Sequence, residues 1–164
     1  MTYRGCQSIV DSRARGEPLG VLARLASVQY IAAKMADQRL RIVCADDHPS
    51  VRENLRYLIN AEPDLECVAV ARDGVEAVRA CEEHAPDVLV VDEDMPRASG
   101  LDVVEWLHGQ DPEVKVVLYT LNSEACERAR ALGAAACVMK DSQYEVLLKT
   151  IRGVAAAPGS IRAG

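Results

Sequence analysis

From residue 40 onward, short unbroken apolar runs alternate with longer stretches in which apolar residues return every three or four positions. The unbroken runs predict strands buried on both faces, and the periodic stretches predict helices with one buried face. "LRIVCA" (40–45) is the first run, and it stops at "DDHPS", where Pro49 suits the first position of a helix. Val51, Leu55 and Leu58 then mark a helical stripe, with Arg52, Glu53 and Arg56 on the other side, until "NAEPD" interrupts it. "LECVAVA" (65–71) is the second strand. "RDG" turns the chain into a helix marked by Val75, Val78 and Cys81, which Pro86 ends.

The unit then repeats. "VLVV" (88–91) is a strand, "GLDVVEWLHG" (100–109) a helix, and "VKVVLYT" (114–120) a strand. "SEACERARALG" (123–133) reads as a helix closed by Gly133 in a left-handed cap, followed by the small-residue strand "AACVM" (135–139). Leu147, Ile151 and Val154 mark a last helix, and "APGSIRAG" reads as a linker or tail over 157–164. Five strands alternating with five helices predict an α/β domain over 40–156, with a doubly wound five-stranded parallel sheet. The strand order expected is 2-1-3-4-5, the flavodoxin-like arrangement, which puts a site at the carboxyl ends of the strands near the switch between strands 1 and 3.

Composition divides the chain further. The whole has 164 residues, 49% hydrophobic and 27% charged, with no Phe and one Trp, so aliphatic side chains must fill the core. Residues 1–39 carry six basic side chains against three acids, which leaves −9 of the −6 total on residues 40–164. So acidic a body repels phosphate backbones and suits a cation or a basic partner, so no nucleic acid is expected to bind this chain alone. Residues 1–39 are expected to be an N-terminal extension, either disordered or produced by a start placed upstream of Met35. The alternative is a short amphipathic helix carrying Leu22, Leu25 and Ile31. The six cysteines lack metal-binding spacing and read as reduced core thiols. No apolar run approaches a membrane span, and the expected location is cytoplasmic, with no membrane contact.

The chemistry concentrates at the predicted strand ends. Asp46 and Asp47 follow strand 1, Asp92 strand 3, Thr120 strand 4 and Lys140 strand 5, while strand 2 ends in an unremarkable "RDG". In the expected order the first four sites are neighbours on one rim. Two carboxylates about 4 Å apart repel by about 4 kcal/mol at an effective dielectric near 20, so the cluster calls for a cation. Oxygen ligands with room for water favour Mg2+. Asp92 could then attack phosphorus to give an acyl phosphate, with Thr120 and Lys140 neutralising the phosphoryl oxygens.

"DDHPSVR", "VVDEDMPRASG", "VVLYT" and "GAAACVMKD", in this order and spacing, resemble the receiver domain of bacterial two-component response regulators. The "DDH" and "KD" forms resemble the NarL/LuxR-type branch, whose members usually carry a helix-turn-helix after the receiver. The resemblance implies that Asp92 is the phosphoacceptor, supplied by a sensor histidine kinase. Asp47, Asp92 and the backbone carbonyl of Asp94 would ligate Mg2+, with Asp46 acting through water, and Thr120 and Lys140 would bind the phosphoryl group. Phosphorylation would reshape the face of the fourth helix, fifth strand and fifth helix, where a homodimer or a partner docks. Apart from taking phosphate from small donors and losing it again, the chain is not expected to be an enzyme.

Three departures stand out. Cys137 occupies the switch position where family members usually carry an aromatic that moves with Thr120. Leu121 replaces a small residue and could slow both phosphorylation and hydrolysis, while Asp94 and Asn122 flank the pocket and tune the phosphoryl lifetime. His48 reads as a helix-entry residue, Trp106 as partly buried packing, and Tyr119 as a sheet residue packed on a helix. Two other readings are a fragment of a transcriptional regulator whose helix-turn-helix lies elsewhere, and a haloacid-dehalogenase-like Mg-dependent phosphatase. The latter family, however, puts its DxD on the first strand and its acidic pair late.

Overall fold

In this computed structural model the described residues are 39–110 and 113–157. The expectations for residues 1–38 and 158–164 lie outside them. Strands β1 (Leu40–Ala45), β2 (Leu65–Ala71), β3 (Val88–Val91), β4 (Lys115–Thr120) and β5 (Ala136–Met139) alternate with helices along the chain. The helices are α1 (Pro49–Asn60), α2 (Gly74–His84), α3 (Gly100–Gln110), α4 (Ser123–Ala131) and α5 (Tyr144–Ala155). All strand pairings are parallel, in the order β2-β1-β3-β4-β5 that the alternation predicts.

Period-two alternation in the strands feeds two apolar layers. Val43, Leu89, Val91 and Leu118 face α2, α3 and α4, meeting Ala77, Leu101, Val104 and Ala125. Ile42, Cys44, Val88, Val90 and Val117 face α1 and α5, meeting Leu55, Ile59, Leu147 and Ile151. Each fully buried Val, Leu or Ile side chain is worth about 1.5–3 kcal/mol relative to exposure, and the fully buried members of both layers are aliphatic, with Tyr119 and Tyr144 only partly buried against the second.

The helix ends follow local chemistry. Pro49 opens α1 and Asn122 caps α4 by accepting from the Glu124 N–H at 3.0 Å. Gly133, at φ 104°, takes the left-handed position expected after α4, and its amide bonds the Arg130 carbonyl.

Two helix stripes differ from expectation. In α2 the buried residues are Gly74, Ala77, Ala80 and Cys81, while Val75 is 49% exposed. Gly74 packs against Ala98 of the loop after β3, where a Cβ would collide with the backbone carbonyl. In α1 the stripe turns onto Leu55 and Ile59, with Leu58 only half-buried. Trp106 is 40% exposed.

The cysteines are a correction. Cys126 in α4 and Cys137 in β5 are joined by a disulfide, both half-buried. Because α4 runs back along the sheet, its first turn meets β5 at Cys137, a convergence that the sequence spacing does not signal. Cys44 and Cys67 do keep thiols, 4.0 Å apart between β1 and β2.

Candidate functional site

The rim is built by extending the sheet one residue past each strand. The Asp46 amide bonds the Ala71 carbonyl at 3.1 Å, the Asp92 amide the Ala45 carbonyl at 2.9 Å, and the Lys140 amide the Thr120 carbonyl at 2.8 Å. These ladder bonds fix three ionisable side chains against a rigid frame. Lys140 Nζ lies 2.6 Å from Asp46 Oδ2 and 2.9 Å from Asp92 Oδ2, bridging carboxylates from β1 and β3. Asp46, Asp92 and Thr120 are buried, and Asp47 and Lys140 are half-buried. Thr120 accepts from the Asn122 N–H at 3.0 Å and its hydroxyl lies 3.5 Å from Glu93 Oε2.

The cleft above is lined by Asp92, Glu93, Asp94, Thr120, Leu121 and Lys140, among others. Asp94 and Leu121 are exposed at its mouth, and Asn122 spends its side-chain oxygen on the α4 cap. Burial raises the Asp92 carboxyl above its usual range, the Asp46 charge adds to that, and Lys140 opposes it. Burial works against the charge on Lys140, but its bonds to Asp46 and Asp92 prevail and its pKa is raised.

Ligand atoms of Asp46, Asp47, His48 and Asp92 all lie within 4.8 Å of one another. Asp47 Oδ1 is buried without a hydrogen-bond donor, 2.7 Å from His48 Nδ1. An undonated carboxylate oxygen beside two further carboxylates is a donor set that fits a hard divalent cation such as Mg2+. His48 precedes α1 as expected, but its side chain makes no cap bond; its ring lies against the acids instead.

Several positioning residues carried no sequence signal. Arg52 Nη1 donates to the backbone carbonyls of Asp46 (2.6 Å) and Asp47 (3.0 Å), holding the β1–α1 turn. The "RDG" turn is not idle, because Asp73 is buried, accepts the Glu76 N–H to cap α2, and pairs with Arg97 from the loop after β3. Arg97 sits at φ 68°. Gly100 passes against the Asp92 carbonyl, leaving no space for a Cβ. Tyr119 packs in the α1/α5 layer, its ring 5.9 Å from Lys140 Nζ, while Cys137 belongs to the opposite layer. Tyr119 therefore does not occupy the space of the absent aromatic.

The family described as "Response regulator receiver domain" matches residues 42–152. The chain is 36% identical over 124 residues to the "Uncharacterized transcriptional regulatory protein YxjL" of Bacillus subtilis, covering 74% of this chain and 56% of the relative. It is 37% identical over 118 residues to the "Oxygen regulatory protein NreC" of Staphylococcus epidermidis, covering 70% and 54%. It thus spans about half the length of the curated relatives it matches. A LuxR-family two-component response regulator from Aurantimonas superposes with a TM-score of 0.69 at 32% identity, over 72% of this chain and 86% of that one. A LuxR-family DNA-binding response regulator from Staphylococcus aureus gives 0.67 at 28%, over 71% and 98%. Sheet order, acidic rim and these likenesses agree: the chain belongs to the receiver domains of two-component response regulators, in the NarL/LuxR-type branch.

Proposed function

We propose that Asp92 accepts a phosphoryl group from the phosphohistidine of a sensor kinase and that this changes what the domain binds. The observation that carries the reading is the bridge from Lys140 to Asp46 and Asp92, which gathers charges from three strands at one point. An oxygen of the Asp92 carboxylate attacks phosphorus, the P–N bond to the donor imidazole breaks, and an acyl phosphate forms. Lys140 lies within reach of the new phosphoryl oxygens, and Thr120 reaches them by leaving Glu93. Asp47, Asp92 and the Asp94 backbone carbonyl would hold Mg2+, and Asp46 would act on it through water. When bound, the ion neutralises phosphoryl charge.

The phosphoryl group then alters the α4–β5–α5 face, the site of a homodimer or of docking to another protein. Leu121 over the cleft slows both entry of the donor and attack by water, with Asp94 and Asn122 adjusting the lifetime. A second reading, that the chain is the receiver portion of a DNA-binding regulator, is favoured by its covering about half of relatives named as transcriptional regulators. Incubation with acetyl phosphate and magnesium is expected to add one hydroxylamine-labile phosphoryl group at Asp92, seen by mass. Equal labelling of Asp92→Asn would overturn the assignment.

A further inference from the structure

We propose that Cys126 and Cys137 are a reversible dithiol–disulfide site that staples the segment bearing Thr120 to the strand bearing Lys140. The two sulfurs are bonded in the structure, with Cα atoms 5.4 Å apart, inside the span a disulfide can bridge. Helix α4 begins three residues after Thr120, and Cys126 ends its first turn. Cys137 precedes Lys140 by three residues in the strand that leads to it. The bond therefore closes a covalent link between the two segments that bring a hydroxyl and an ammonium to the cleft. Both cysteines are half-buried, and Met139 Sδ packs 3.9 Å from Cys126 Sγ, so the pair is sheltered yet open to a small thiol. In compartments rich in reduced thiols such bonds are transient and redox-sensing rather than permanent.

The chemistry is thiol–disulfide exchange with a low-molecular-weight disulfide, RSSR. One cysteine thiolate attacks a sulfur of RSSR, forming a mixed disulfide and expelling RS−. The other thiolate attacks the protein sulfur of that mixed disulfide and expels the second RS−. Two protein thiols give up two electrons and two protons, and RSSR leaves as two RSH. A dithiol reverses the exchange.

The consequence rests on the reading of Thr120 and Lys140 as phosphoryl contacts. The Thr120 hydroxyl is engaged by the Asn122 amide and Glu93, and it must leave them to meet a phosphoryl group on Asp92. The staple holds the β4–α4 turn to β5 and resists that shift, whereas the dithiol releases it.

The test treats the full chain with glutathione disulfide or with dithiothreitol, followed by peptide mapping, amide hydrogen exchange and acetyl phosphate labelling. The expected results are a mapped Cys126–Cys137 bond only in the oxidised form, and slower exchange over residues 120–126 in that form. Labelling of Asp92 is expected to be about fivefold lower when oxidised, the low end of typical site coupling. Cys126→Ser and Cys137→Ser should each abolish the redox dependence of both readouts. Failure of the bond to form, or unchanged exchange over 120–126, overturns the staple. So does labelling that ignores redox state. Absence of labelling in both forms, with the exchange difference intact, supports the staple and overturns the phosphoacceptor reading instead.

Discussion

Lys140 is the residue on which the electrostatics of the cleft balance, because it alone among the described residues faces both Asp46 and Asp92 within 3 Å. Removing one member of a buried charge network leaves the others uncompensated, a loss of about 3 kcal/mol. Lys140→Met is therefore expected to lower the unfolding free energy measured by denaturant titration at neutral pH by that order, with magnesium chloride restoring part of it. Asp92 works in the opposite sense. Its pKa is raised by burial, so the folded state holds its proton more tightly than the unfolded chain does. The stability this contributes is complete below the unfolded carboxylate pKa and is lost as pH rises through the folded value. Asp92→Asn should consequently melt higher than wild type at neutral pH without divalent ions, and the gap should close in acid. A lower melting temperature at pH 7 would refute the assignment of burial as the governing effect.

At the scale of elements, the loop after β3 is held from below by α2 and from behind by α3. Asp73 caps α2 and pairs with Arg97, and Gly100 lies against the Asp92 carbonyl. Asp73→Ala removes a cap and leaves Arg97 without this partner, so a loss of about 1–2 kcal/mol is expected, with faster amide exchange over 93–99. Gly100→Ala has to push Asp92 itself, so its defect should appear in phosphoryl labelling as well as in stability. The contrast explains which parts of the site were legible. Asp46, Asp92, Thr120 and Lys140 could be read because each polar residue directly follows a buried run, a local signal. The pairing of Asp73 with Arg97 spans 24 residues and joins two loops, so nothing in either loop announces it. Arg52 looked like a solvated helix residue because its target is backbone, which the sequence does not encode. The α2 stripe was displaced for another reason: its buried positions are mostly Gly and Ala, which do not stand out as apolar landmarks. The cysteine pair was hidden by the reversal of α4, which brings residues 126 and 137 together only in three dimensions.

For the molecule as a whole, the acidic rim is a cost to folding that a bound cation would remove. Three carboxylates converge there against one ammonium, and the net charge of the chain is −6. An ion that binds only the folded state stabilises it by mass action, about 2.7 kcal/mol when its concentration is a hundredfold above the dissociation constant. Magnesium chloride is accordingly expected to raise the melting temperature of the full chain in a saturable manner, whereas sodium chloride at equal ionic strength raises it only by general screening. Asp47→Asn is expected to abolish the saturable part while leaving the fold intact, because Asp47 is half-buried and the contact it would lose is an ion pair to the exposed His48 ring, worth little to stability. The effect should also fade as pH falls through the carboxylate range, since protonated acids neither repel one another nor bind the ion. A magnesium response of the same size in Asp47→Asn would move the ion away from this rim, and with it the electrostatic account of why Asp92 is poised to accept phosphorus.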